Sequence, residues 1–392
     1  MKEQTRIWWL TTVNILAAMA TMLFSFKLWV STRFFPNVPI SSQLPEIAYP
    51  FDYVLFGMAL LFLVLLLLQR KRRWLIGFLT VAIILCIFDQ MRWQPWFYLY
   101  LLLFALLLIV HIPFSNRKRE RIVFTVAALI LSSMYFWSGV HKLHSGFANF
   151  VYPYLVETFG MQIDKTKTIH TVLAYGMALS ELGIGLALLW KPSRKYAIIA
   201  ALGMHLFILV VLGPFGRAEN LVIVPWNVAM MVLVVVVFYR NEEVSLQSLL
   251  LPSMLSVNLL RWGIVVLVVV MPLFSHFGMW DYYLSNTLYA GKTTRLLVVM
   301  PKENYEDRLP IAIRQHTQAV SNTPLFVYIN ADIWALKELN VPVYPQARVQ
   351  YAIARYFCDY FSQWENRGLL FRIDSRWESK KILEQFECKD GK

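Results

Sequence analysis

Lys142 stands between two histidines in YFWSGVHKLHSG, Tyr135 to Gly146, where an apolar run that begins near Ile122 gives out. A lysine at such a boundary can do one of two things. It can lift its ammonium to the headgroups on its four-carbon stem. Or it can be held against polar neighbours and partly desolvated, which weakens an amine's hold on its proton and suits it to general base catalysis. On a helix, Tyr135, Ser138, Lys142, Ser145 and Asn149 recur at spacings of three or four and form one polar stripe. Spacing alone leaves the two roles level.

Few other polar groups interrupt the apolar runs. Asp89 and Arg92 lie beside Trp93 and Trp96 in FDQMRWQPWFYLY; Glu181 sits in ALSELGIG, His205 in GMHLFIL, and Asn227 after Pro-Trp in VPWNVAMM. Ionisable groups at membrane depth are costly and mostly face a bundle interior or a water-filled cavity, so each is a candidate. Each also has a structural role. Asp89 and Arg92, three apart, can pair across one turn. Glu181 can bond a neighbouring helix as a protonated acid, and His205 can serve as an interhelical donor. His141 and His144 share a helical face, but no H-E-x-x-H, cysteine pair or carboxylate cluster accompanies them, so no metal is expected.

The elements that must position these groups are themselves apolar. The chain has 392 residues, 58% hydrophobic and 16% charged. Its apolar runs fall near 7–28, 52–69, 74–90, 96–113, 122–140, 169–190, 196–212, 221–239 and 260–279. The expected fold is an all-α polytopic membrane bundle of about nine transmembrane helices over 1–280, followed by a small α/β unit over 281–392. The first run is expected to be retained, since its apolar core exceeds a signal peptide's and no A-x-A-like site follows it cleanly.

Basic clusters QRKRR (69–73), NRKRER (116–121) and KPSRK (191–195), with Lys2, Arg6, Arg240 and Arg261, all fall on one side if the spans alternate. The positive-inside rule then places the N-terminus in the cytoplasm and 281–392 outside a bacterial inner membrane. The net charge of +13 thereby has a topological origin. Short juxtamembrane loops do not make a nucleic-acid surface, and no nucleic-acid partner is expected. Asp89, Arg92, Lys142 and the loop GPFGRAEN (213–220) fall toward the outer face, where one outward-opening pocket would gather them.

In the tail, RLLVVM (295–300) and GLLFRI (368–373) read as strands, and ALKELN and PQARVQYAIARYFCDYF as helices, the second with Pro345 in its first turn. Cys358 and Cys388 can pair in an oxidising compartment; sequence leaves that geometry open, and Cys86 lies within the third run. This outer unit is the expected place for a protein or peptide partner.

Three segments carry a resemblance. SGVHKLHSGF resembles the motif Ala-Gly-x-x-Lys-Leu-(Asn/Asp)-x-x-Trp of the vitamin K-dependent gamma-carboxylase family and its bacterial HTTM relatives, in which the lysine is the proposed base. DQMRWQPWFYLY is similar to that family's Asp-x-x-x-Trp-x-x-His-x-Tyr-Leu-Tyr, with Asp89, Trp93, Tyr98, Leu99 and Tyr100 agreeing. MHLFILVVLGPFGRAENLVIVPWNVAMM is similar to the family's His followed by Ile-Gly-x-Phe and an apolar span, with His205 and Gly213 or Gly216 in place. Together they cover roughly 85–235, in order.

The resemblance implies Lys142 as base on a menaquinone- or vitamin K-type quinol, in an apolar cavity beside Trp93, Trp96 and Trp137. His141, His144, Asp89, Glu181 and His205 would assist, and Arg92, Tyr135 and Asn227 would help to hold the cofactor. The chain departs from the pattern at Trp96, which replaces a histidine, at His144, which replaces an acid or amide, and at Phe147, which replaces tryptophan. Its tail is also small for a carboxylase's peptide dock, so quinol chemistry is implied more strongly than glutamate carboxylation. The same region is similar to DoxX-like and MauE-like membrane proteins, which implies a non-catalytic accessory or maturation role as the alternative. A transporter is the third reading, though no internal repeat stands out.

Overall fold

The computed structural model describes residues 3–113, 115–161, 164, 167–320, 323–362, 368–376 and 382–388. Each apolar run forms a helix: α1 (Glu3–Phe24), α2 (Phe51–Gln69), α3 (Arg72–Phe88), α4 (Pro95–Leu107), α5 (Asn116–Lys142), α6 (Thr168–Leu189), α7 (Arg194–Leu212), α8 (Ile223–Phe238) and α9 (Leu255–Val265), the last prolonged by π and tighter turns to Phe277. Among the described residues, 6 helices are long and apolar enough to cross a membrane: α1, α2, α5, α6, α7 and the α9 segment. The others have 17, 13 and 16 residues, short of the roughly 20 that a spanning helix needs. Every run expected to span is helical, but six of these helices, not nine, have membrane-crossing length.

Basic residues from several loops meet at one end of the bundle: Arg6 and Arg194 reach the end of α8 and the residues after it, where Arg121 and Lys191 pair with Glu243 and Glu242. Several arginines there are buried and bond the carbonyls that a helix leaves open at its C-terminus. Arg6 donates to the carbonyls of Val236, Tyr239 and Arg240 at the end of α8, at 2.9, 2.8 and 2.9 Å. Arg194 does the same for Leu188 at the end of α6, at 3.0 Å.

The most deeply embedded helix is α5, whose apolar stretch is 94% buried. Its tightest neighbour is α6, because two glycines let the backbones touch. A Cβ on Gly139 would lie 2.5 Å from the Leu182 nitrogen and 2.7 Å from the Ala178 oxygen; one on Gly185 would lie 2.6 Å from the Ser132 oxygen. Small residues at a crossing allow this approach, and close packing is what drives helix association in lipid.

The C-terminal unit is a five-stranded antiparallel sheet of β1 (Thr294–Pro301), β2 (Thr317–Val320), β3 (Thr323–Asn330), β4 (Leu370–Ser375) and β5 (Ile382–Glu387), in the order β2-β3-β1-β4-β5. Helices α10 (Ala331–Leu339) and α11 (Ala347–Tyr360) pack against it. In α11, Val349, Ile353, Ala354 and Phe357 recur at helical spacing and are buried. Pro345 precedes this helix instead of opening it; Gln346 is the N-cap.

Cys358 and Cys388 are joined, with Cα atoms 5.7 Å apart, tying α11 to the residue that follows β5; Cys86 is free and buried. With a sequence separation of 30, loss of this bridge through Cys358→Ser with Cys388→Ser is expected to destabilise the unit by about 3–4 kcal/mol. Thermal unfolding of the variant, or of the wild type with and without reductant, checks this.

The unit docks on the bundle end opposite the basic clusters. Glu338 accepts from the Phe34 and Phe35 amides at 2.6 and 3.1 Å, and Gln94 donates to the Pro342 carbonyl at 3.1 Å.

Candidate functional site

The Gly139 crossing sets Lys142, one turn further along α5, beside Glu181 of α6. The Lys142 ammonium donates to Glu181 Oε2 at 2.5 Å and to Ser138 Oγ at 2.7 Å. The two charged side chains are only 10% and 13% exposed, so Lys142 does not reach for the headgroups. It is held inward by a carboxylate and a hydroxyl.

A second polar group joins the same site. His205 of α7 lies between Tyr135 of α5 and Asn227 of α8, with Nε2 2.6 Å from the Tyr135 hydroxyl and Nδ1 2.7 Å from Asn227 Oδ1. Asn227 Nδ2 donates to the Ile223 carbonyl at 2.8 Å, which fixes the amide with its oxygen toward the ring. Nδ1 must then carry the hydrogen and Nε2 accepts from Tyr135. Tyr135→Phe leaves that buried nitrogen without its donor, an expected loss of about 1–3 kcal/mol. Thermal unfolding beside a Tyr239→Phe control, which alters an exposed ring, measures it.

Ser138, Lys142, Glu181, His205 and Asn227 line one cavity of about 100 Å³, whose other walls include Met134, Met177, Met204, Phe207 and Trp226. Four helices converge polar groups on an otherwise apolar space, the usual composition of a small-molecule site. Asn286, Leu288 and Tyr289 from the linker into β1 complete the wall. No periodicity marks these three residues in the sequence, and Tyr289 lies at φ +49°, a left-handed conformation uncommon for a bulky residue.

An adjoining cavity of about 120 Å³ shares Ile223, Trp226, Leu288 and Tyr289 with the first. It contains Trp96, Glu219 and the Asp332–Arg376 ion pair, whose nearest atoms are 2.8 Å apart. Burial raises the Glu219 carboxyl above the ordinary range, and the Tyr154 hydroxyl donates to it.

The other candidates lie elsewhere. Asp89 accepts from Arg33 at 2.6 Å and from the Val38 and Met91 amides, while Arg92 is 3.8 Å away. Arg92 instead donates to the carbonyls of Leu28, Leu85 and Trp29. The pairing across one turn is thus secondary to Arg33, which the sequence did not single out, and neither residue lines the Lys142 cavity. Trp93 packs against Tyr98. Trp137 stacks on His141, which stacks on His276 at 4.7 Å. His144 accepts from the Gly146 amide at 3.0 Å. The expected stripe also breaks: α5 ends at Lys142 and a π turn begins at Phe147, so Ser145 and Asn149 line a different cavity.

Among the described residues, no group of three or more His, Cys, Asp or Glu is placed to hold a metal ion. No family model, curated protein or solved structure matches the chain.

Proposed function

We propose that this chain is an integral membrane enzyme that moves a proton at the ring hydroxyl of a lipid-soluble, quinol-class molecule. The supporting observation is the convergence of Lys142, Glu181 and the Tyr135–His205–Asn227 chain on one apolar cavity. A bound quinol would supply the acidic hydroxyl. With Lys142 and Glu181 2.5 Å apart, the pair rather than the lysine alone receives the proton. Lys142 would pass its proton to Glu181 Oε2 and take up the one the hydroxyl gives off, so that Glu181 ends protonated and Lys142 is again an ammonium, able to hold the negative charge. His205 and Asn227 form the polar part of the wall contributed by α7 and α8, Tyr135 holds the His205 ring from behind, and the methionine and aromatic walls exclude water.

The polar groups fit a quinol, while the space sets a limit. A cavity of about 150 Å³ accommodates benzene, and this one measures about 100 Å³. A two-ring quinol of the menaquinone or vitamin K type enters only when Trp226, Leu288 and Tyr289 move and the two adjoining cavities merge. We further propose nine membrane crossings, with α3, α4 and α8 as short spans, the basic end in the cytoplasm and the C-terminal unit outside.

The closed Lys142–Glu181 pair favours a second reading: a non-catalytic membrane component in which the pair only joins α5 to α6, and whose outer unit holds a protein or peptide partner. Mass spectrometry of the lipid extract from protein purified in mild detergent separates the readings. A quinone at near-stoichiometric level in wild type and absent from Lys142→Ala supports the first. Equal extracts lacking quinone from both would overturn it in favour of the second.

A further inference from the structure

A separate, more open cavity of about 450 Å³ lies where the turn after α5 meets the linker into β1. It shares no residue with the Lys142 cavity. Ser145, Gly146 and Asn149 form one wall; Tyr282, Gly291 and Lys292 form the other. Two glycines lock the walls together. A Cβ on Gly146 would lie 2.4 Å from the Gly291 oxygen, and one on Gly291, at φ +76°, would lie 2.3 Å from the Gly146 carbonyl carbon. Lys292, the next residue, is therefore held at the cavity by a backbone crossing that a side chain would break.

Lys292 is half-buried and has no hydrogen-bond or ion-pair partner among the described residues. Burial holds its ammonium below the ordinary lysine range. Among the described residues, no aspartate or glutamate lines the cavity. The carboxylates next in sequence to the lining residues Tyr282 and Ser375 are already engaged: Asp281 by Arg348 and Tyr344, and Asp374 by Arg372. The remaining lining groups include neutral hydrogen-bonding side chains on Ser145, Asn149 and Tyr282. A half-buried cation among neutral hydrogen-bonding groups, with no acid beside it among the described residues, is complementary to an oxyanion with several acceptor oxygens. Leu383 and Phe150 add apolar surface to the lining, Leu383 at 51% exposure.

We propose that this cavity binds a phosphate group, with Lys292 supplying the charge and Ser145 and Asn149 the neutral hydrogen bonds. The group belongs either to a phospholipid, whose acyl chains Leu383 and Phe150 would meet, or to free phosphate. Two titrations of the full-length protein in neutral detergent distinguish them: phosphatidylglycerol followed by native mass spectrometry, and inorganic phosphate followed by calorimetry. For whichever ligand binds, Lys292→Gln is expected to weaken affinity on the order of tenfold, as loss of one charge-assisted contact should. Lys292→Arg should retain most of it, and Lys337→Gln, at an exposed lysine of the outer unit, should change nothing. Lys292-dependent binding of the lipid alone assigns the site to lipid, and of inorganic phosphate to the free anion. If Lys292→Gln does not fold, Asn149→Ala on the opposite wall takes its place, with a severalfold loss expected. Equal affinities in wild type and variant for both ligands, or no binding of either by wild type, would overturn the proposal.

Discussion

Lys142→Ala is expected to destabilise the protein by about 3–5 kcal/mol, and replacing both partners, Lys142→Met with Glu181→Met, to recover most of that loss. The asymmetry follows from burial. Removing the lysine leaves the Glu181 carboxylate with neither its counter-charge nor its 2.5 Å hydrogen bond, in a wall otherwise made of methionine and aromatic side chains. Removing both charges substitutes an apolar contact of similar volume. Thermal unfolding in one detergent, with the four members of the double-mutant cycle side by side, measures the coupling. The double variant also separates architecture from chemistry, since it keeps the fold and discards the proton acceptor. Lys142→Arg extends that logic: its guanidinium preserves the ion pair but does not exchange its proton near neutral pH. Stability near wild type with quinol-dependent turnover abolished is the result expected of an acid–base pair. Unchanged stability and unchanged biological output in both variants would show that the pair only holds helices together.

Gly139→Val should be at least as damaging, at about 3 kcal/mol or more, although it alters no polar group. The added Cβ would meet backbone atoms of α6 at 2.5 and 2.7 Å, and backbone cannot rotate aside as a side chain would. The helices must part, which costs overpacking strain and stretches the Lys142–Glu181 contact one turn away. Gly183→Ala, on α6 and with open space around its Cβ position, is the control, and there removal of glycine is expected to be neutral or stabilising by up to about 1 kcal/mol. Equal unfolding midpoints for Gly139→Val and wild type would refute the close crossing.

These two sites illustrate what was legible in the residues. Lys142, Glu181, His205, Tyr135 and Asn227 stand out because each is a polar interruption in an apolar run, and cost in lipid marks them whatever their partners are. Their pairing is not encoded in spacing. Lys142 and Glu181 are 39 residues apart and meet only because Gly139 permits the crossing, while Tyr135 and His205 are 70 apart. The same signal also misleads. Asp89 and Arg92 interrupt a run equally well, yet their role is to bind Arg33 and the loose carbonyls of helix ends. In the C-terminal unit, β1 and β4 are apolar and readable. By contrast β2 has no buried residue and β5 is almost wholly exposed, so neither shows the alternation that marks a half-buried strand. The stripe from Tyr135 to Asn149 fails after Lys142 because helical spacing holds only while the helix continues.

Leu288 and Tyr289 belong to the stretch that leads into β1, yet they close the cavity of α5 to α8. The seating of the outer unit and the shape of the inner cavity are consequently one equilibrium. Any molecule that binds inside more tightly when the linker is seated must, by the same factor, strengthen the seating, and a partner that pulls on the outer unit must loosen the guest. Thermodynamic linkage would thus make this membrane-embedded cavity responsive to events at the surface of the folded tail, through a segment of a few residues.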